Sequence, residues 1–324
     1  MNSNRVLNMN YCRRWQALLL FFISVCISVF VACTHNTDTV ETVPTRSVRL
    51  VKHALGETQV PTNPQRIVTL DSYTLEAVLA LNTKPIGAAR TDWEHLRDRL
   101  DGVTNIGLSG EPSLEKVLTL KPDLILGNSY QQSVYNPLSQ IAPTVIAKFE
   151  NSGDWKAIFT LVGQALGTNT SPVMERYYAR LEDFKTRMGD RLNWFEVSVI
   201  TVPPAGGFYI YGSDTFSGTI LADAGLRRPA AQQNAAITSL RLSRERLSNA
   251  DGDVIFLWNY SSPDEQVAQI QATAKLKADP LWQQLNAVKQ GKVYEVPHYW
   301  IGTGAIAANL VIDDLFTYLL ALKK

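Results

Sequence analysis

Two arginines and a set of aromatic residues could do chemistry in this sequence, several of them standing directly after short apolar runs. Arg90 and Trp93 follow Ile86-Gly87-Ala88-Ala89, Asn128 and Tyr130 follow Leu124-Ile125-Leu126-Gly127, and Trp258 closes the run from Asp253. Tyr209, Tyr211, Arg241, Tyr299 and Trp300 add to the set in the second half. A guanidinium offers a planar fork of donors to partly negative oxygens, and aromatic rings offer flat apolar faces. The set therefore suits a ligand that carries both kinds of surface. Each residue also has a packing alternative. An aromatic after a strand, Trp93 and Trp258 above all, is as often rim packing as ligand contact, and Arg90 has Asp92 and Glu94 beside it as ion-pair partners. His298 reads as a hydrogen-bonded loop histidine. Arg227-Arg228, between Gly225 and Pro229, reads as a solvated turn.

Other chemistries find little support. The four histidines, His35, His53, His95 and His298, are scattered, without the spacing of an imidazole metal site. The three cysteines, Cys12, Cys26 and Cys33, all precede the folded part, which leaves neither a disulfide framework nor a thiolate site there. No nucleophile elbow, phosphate loop or zinc motif stands out; Ser217-Gly218 lacks the flanking glycines, and Gly302-Thr303-Gly304 is an isolated Gly-rich loop. The expectation is that the chain is not an enzyme. A net charge of +1 argues against nucleic acid, whose phosphates call for a concentrated basic face.

The elements that must position these residues alternate between strand and helix. Arg66 to Leu70, Pro85 to Ala89, Asp123 to Gly127 and Thr144 to Ala147 read as strands. Leu75 to Leu81, Leu114 to Leu120 and Trp155 to Leu166 read as helices between and after them. The second half repeats the pattern, with strands at Val197 to Thr201, Asp253 to Trp258 and Lys292 to Val296, and helices at Thr219 to Ala224, Trp282 to Val288 and Leu310 to Leu320. Alternation of this kind implies parallel βα units, and in such sheets ligands bind beyond the carboxyl ends of the strands. Between the halves, Ser171-Pro172 opens a charged segment. Its Tyr177, Leu181, Phe184 and Met188 recur at helical steps, predicting one helix from Val173 to Leu192 with Ser171 as its cap. That helix is either a strut between two lobes or an ordinary surface helix.

At the N-terminus, Arg13 and Arg14 precede an apolar run from Ala17 to Ala32, which is roughly 16 residues against the ~20 of a membrane span. Phe30-Val31-Ala32-Cys33 resembles a lipobox, with Phe30 where leucine is usual, so Cys33 is the expected lipidation site. An uncleaved signal anchor is the alternative. Residues 34–45 have the composition of a flexible tether.

The ordered set of segments resembles the helical-backbone (class III) periplasmic solute-binding proteins, which serve importers of ferric siderophores, ferric citrate, haem and vitamin B12. It comprises Arg66-Ile67-Val68-Thr69-Leu70, Lys84-Pro85-Ile86-Gly87-Ala88, Pro112-Ser113-Leu114-Glu115-Lys116-Val117, Leu120-Lys121-Pro122-Asp123-Leu124-Ile125, Ile141-Ala142-Pro143-Thr144, Leu242-Ser243-Arg244-Glu245-Arg246-Leu247 and Pro280-Leu281-Trp282. Ile141-Ala142-Pro143-Thr144 is most similar to the iron-siderophore binders. The resemblance implies an α/β fold of two Rossmann-like lobes joined by a single long helix, with the ligand cleft between the lobes. The expected organisation is a signal peptide at 1–32, a tether at 33–46, an N-terminal lobe at 47–170, the helix at 171–192 and a C-terminal lobe at 193–324.

By the same resemblance the chain is a lipid-anchored, extracytoplasmic and monomeric partner of an ABC permease and its ATPase subunits. Its ligand is a ferric siderophore of hydroxamate or citrate type, whose iron the chelator holds, so no cofactor and no protein metal ligand are expected. Arg90, Tyr130 and Trp300 fall at the places of ligand-contacting residues in ferrichrome-type relatives, and Arg241 at a looser match. Glu115 and Glu245 match the glutamates that face permease arginines, one per lobe; ordinary helix capping is the alternative. Haem or a cobalamin-like ligand, a lipid-anchored enzyme and an adhesin are the other readings.

Overall fold

In the computed structural model, the described residues are 47–322 apart from 92, 237 and 260–262, with side chains not described at 263–265. The expected signal peptide, Cys33 and the tether lie outside them. Two sheets organise the chain. The first is built from β3 (Ile67–Thr69), β4 (Gly87–Ala88), β5 (Thr104–Asn105), β8 (Leu124–Asn128) and β9 (Thr144–Ala147), all parallel, in the order β5-β4-β3-β8-β9. Every residue of β3, β8 and β9 is buried, the signature of strands covered on both faces. The covering helices are α1 (Ser72–Ala80), α2 (Leu114–Leu120), α3 (Tyr135–Ile141) and α4 (Trp155–Leu166). Hairpin β1–β2 (Val48–His53, Gly56–Pro61) and the small hairpin β6–β7 (Gly107–Leu108, Glu111–Pro112) form separate two-stranded sheets, the first packed on β9 through the Ala54 N–H to the Ile146 carbonyl (2.8 Å).

The second sheet has the order β12-β11-β10-β13-β14, from β10 (Val197–Thr201), β11 (Phe208–Ile210), β12 (Leu240–Leu242), β13 (Val254–Trp258) and β14 (Val293–Val296). The three strands read from the sequence are parallel here, and two further strands join them. β10, β13 and β14 are parallel, whereas β11 and β12 run antiparallel to their neighbours. The short link from Thr201 to Phe208 cannot hold the dozen residues of a parallel crossover. It turns back instead through Gly206 and Gly207, both near φ +75 and +73, where other residues are strained. The helices of this half are α6 (Phe216–Asp223), α7 (Pro263–Lys277), α8 (Asn286–Lys289) and α9 (Ala305–Leu319).

The chain passes from one sheet to the other through α5 (Ser171–Met188). Pro172 sits in its first turn, where a missing N–H costs nothing. Ser171 is the first helical residue rather than the cap; Thr170 holds that position without a side-chain hydrogen bond. Tyr177, Leu181, Phe184 and Met188 are buried in the core of the second half, as their spacing predicted, and Val173 and Met174 touch the cores of both halves. The helix stops short of Leu192. Gly189 departs from helical geometry (φ 54, ψ −135) and a 3-10 turn covers Gly189–Trp194.

Polar contacts then pin the lobes on two sides. On one, the Glu76 carboxylate of α1 is fully buried against the start of α9. It accepts the Ala307 N–H (2.7 Å) and the Thr303 hydroxyl (2.8 Å), with His95 Nε2 at 3.7 Å. Gly304 permits this approach, because a Cβ there would lie 3.1 Å from the Glu76 side chain. On the other, Trp155 Nε1 donates to Thr219 (3.2 Å), Phe216 N–H to Ser152 Oγ (2.9 Å), and Lys156 pairs with Asp223, which also accepts the Tyr177 hydroxyl.

Candidate functional site

The segments that follow β8 and β9 and the start of α6 face a common hollow between the lobes. At the end of β8, the Asn128 side chain accepts the Tyr130 N–H (3.0 Å) while the Gln131 side chain accepts the Asn128 N–H (2.9 Å). This box starts a 3-10 turn over Ser129–Val134 and holds Tyr130 outward, 67% exposed, with its ring 4.9 Å from Phe149. Phe149 meets Tyr73 edge-on at 4.8 Å, so three rings form the first lobe's wall. Beneath them Asp71 caps α1 through the Thr74 N–H (2.9 Å). Burial pushes its carboxyl up to about 6, with the hydrogen bonds from Thr74, Tyr73 and Asn128 opposing.

The facing wall carries Tyr211, Phe216, Ser217 and Ile301, and the two walls enclose about 300 Å³. A second hollow of about 450 Å³ shares Tyr211 and Ser239 with the first and is bounded by Tyr209 and Arg241. Arg241 is held there by donating from Nη2 to the carbonyls of Ala205 (3.2 Å) and Gly206 (2.9 Å). Tyr130 and Tyr211 thus line the first hollow, and Tyr209, Tyr211 and Arg241 the second, which adjoins it at Tyr211 and Ser239. Arg90 is exposed just beyond β4, its backbone N–H tied to the Gly107 carbonyl at 2.7 Å.

Four aromatic candidates are placed otherwise. Trp300 is 0% exposed, stacked on Phe256 at 4.2 Å, and its Nε1 donates to Asp314 at 2.7 Å. The 3-10 turn His298–Ile301 rotates this ring into the core, so it offers no surface to a ligand. Trp258, the last residue of β13, is likewise buried in that core. Tyr299 is half-buried with its hydroxyl on Asp314 (2.9 Å), and burial raises that carboxyl while both hydrogen bonds oppose. Trp93 stacks on His298 across the lobes, 4.5 Å between centroids and 13° between planes, and is a lobe contact. Arg228 also departs from expectation. It is buried, not solvated, at 6% exposure, donating to the Tyr211 carbonyl (2.8 Å) and to Gln232, and burial draws its guanidinium down to about 9. Sequence reasoning missed Tyr73, Phe149, Phe216 and Ser217. Phe149 follows β9 by the same strand-end rule that found Tyr130.

Glu115 is exposed in the first turn of α2, whose cap is Ser113, with Oγ accepting the Lys116 N–H at 3.3 Å. Glu245 is exposed in a 3-10 turn, Arg244–Ala250, which Ser243 does not cap. The Ser243 hydroxyl instead holds the Glu245 carboxyl below its ordinary range. Among the described residues, no three His, Cys, Asp or Glu side chains gather where they could hold a metal ion.

Two α/β lobes pinned side by side with a cleft at their strand ends define a two-lobed solute-binding protein. The family described as periplasmic binding protein matches residues 67–299, and the chain belongs to it. The chain is 36% identical over 323 residues to the probable siderophore-binding lipoprotein YfiY of Bacillus subtilis, covering 94% of this chain and 98% of that protein. Over 256 residues it is 29% identical to the Fe(3+)-citrate-binding protein YfmC of the same organism, covering 76% and 78%. Among solved structures, Staphylococcus aureus SirA complexed with staphyloferrin B is 27% identical with a TM-score of 0.74, covering 84% of this chain and 98% of that one.

Proposed function

We propose that this chain is the substrate-binding lipoprotein of an ABC importer, capturing a ferric siderophore between its lobes and delivering it to the membrane permease. The observation that carries this reading is the cleft itself, with aromatic rings on both lobes and Arg241 along its continuation. A ferric siderophore already satisfies its iron. It requires flat apolar contact and donors to its outer oxygens, and Tyr130, Phe149, Tyr211 and Arg241 supply both. Siderophore- and ferric-citrate-binding relatives support the reading.

Tryptophan quenching by ferric siderophores, ferric citrate, haemin and cobalamin tests it. Saturable binding is expected for a ferric siderophore or ferric citrate. Arg241→Ala is expected to weaken it by roughly 1.5–3 kcal/mol, a charge-assisted hydrogen bond, and Tyr130→Ala by about 1 kcal/mol of lost stacking. Binding of cobalamin alone, or of none of the panel, sinks the reading.

The anchor belongs to the same proposal. Lipidation at Cys33 places the protein on the extracytoplasmic face of a membrane. Cys33→Ala is then expected to release the chain from the membrane fraction or to leave an unprocessed precursor. Unchanged processing and retention in a fractionation experiment contradict the lipoprotein assignment.

A further inference from the structure

The second lobe's wall of the cleft has a donor without an acceptor, the Ser217 hydroxyl. Helix α6 starts there, and the first turn of any helix leaves N–H groups to be satisfied from outside. Ser152 takes the Phe216 N–H and Thr215 takes the Gly218 N–H. Ser217 lies between them, 1% exposed and lining the cleft, and its hydroxyl has no hydrogen-bond partner.

A buried cation backs the same wall. Arg228 binds the carbonyl of Tyr211, which itself lines the cleft, and its Nε and Nη1 are buried without partners. No carboxylate pairs with it among the described residues. A buried charge without a counter-ion favours an anion nearby. The helix N-terminus adds positive potential of the same sign. On the opposite wall the one acidic lining residue, Glu150, is paired with Lys148 at 2.8 Å.

We infer that this wall is a carboxylate subsite, with Ser217 at the start of α6 as donor and Arg228 as the charge behind it, and that it selects net anionic ferric chelates carrying a free carboxylate over neutral ones. The inference rests on the siderophore-binding reading above and narrows its ligand class. A carboxylate oxygen pressed into the wall gives Ser217 the partner it lacks and sits in the field of Arg228. A neutral ferric trihydroxamate gains from neither.

Quenching titrations of the full chain with ferric citrate and ferric aerobactin, both anionic, and with ferrichrome, which is neutral, test this. Wild type is expected to favour the anionic chelates. Ser217→Ala is expected to weaken them about five- to tenfold and Arg228→Gln at least about tenfold with a flatter salt dependence, while ferrichrome binding moves by less than about twofold. Thermal melts accompany each variant. Ser217→Ala changes one buried oxygen and keeps the test open should Arg228→Gln fail to fold. Preference for ferrichrome, or an equal loss for all three chelates in folded Ser217→Ala, overturns the carboxylate subsite and leaves the siderophore reading standing. A wild-type protein that binds no ferric chelate overturns the siderophore reading, and the subsite with it.

Discussion

Replacing Glu76 with alanine is expected to lower the unfolding free energy by about 3 kcal/mol, the scale for removing a buried, hydrogen-bonded carboxylate from its donors. The carboxylate is wholly buried and serves two donors of the other lobe, the Ala307 N–H and the Thr303 hydroxyl. Alanine leaves both without it and opens a void against Gly304. Glu76 also sits at the N-terminus of α9, where negative charge is favoured, so Glu76→Gln should fall between wild type and alanine. Because the contact joins two lobes, a second readout applies. Small-angle scattering of wild type should change little on ligand addition, since a helix and two sets of lobe contacts resist bending. The alanine variant should be larger without ligand and contract on binding. A variant that melts like wild type and keeps its dimensions would show that Glu76 is not what fixes the lobes.

The double change Glu115→Ala with Glu245→Ala is expected to cut uptake roughly tenfold or more while leaving chelate affinity nearly intact, as loss of exposed charges at a docking face does. Both carboxylates are exposed, one per lobe, in the first turn of a short helical element. Ordinary helix capping is the alternative. Ser113, not Glu115, receives a backbone N–H in α2, and the turn bearing Glu245 has no side-chain cap. Transport and affinity measured on the same variant separate the roles. Normal uptake at normal expression removes the two residues from the docking surface.

Elements buried on every side were legible from the sequence. Thr144–Ala147 and Val197–Thr201 are continuous apolar or small-residue runs and are buried throughout. Elements that touch water on most sides were not. β12 exposes two of its three residues, and α7 exposes Val267 and Ile270, which breaks the apolar stripe that marks a helix. The segment from Trp282 to Val288 reads as one helix, but Leu285 is extended and divides it. For the cleft, the rule of strand ends found Tyr130. It failed for Trp258 and Trp300, because being at a strand end does not say which way a ring turns. Tyr73 and Ser217 come from helix starts, and which helix start faces the other lobe depends on the angle between lobes, a property of the whole assembly.

The pinned lobes bear on traffic at the membrane. A binding protein that closes around its cargo shows its transporter a different shape when loaded, and the empty form is screened out. Here Glu76 on one side and the Ser152–Lys156 segment on the other hold the lobes to each other through the protein's own contacts. The empty protein then offers the transporter nearly the same face as the loaded one and competes for it. Import should therefore peak at an intermediate abundance of the binding protein and decline when its copies outnumber the available chelate, so that the cell gains most by matching production to iron-chelate supply.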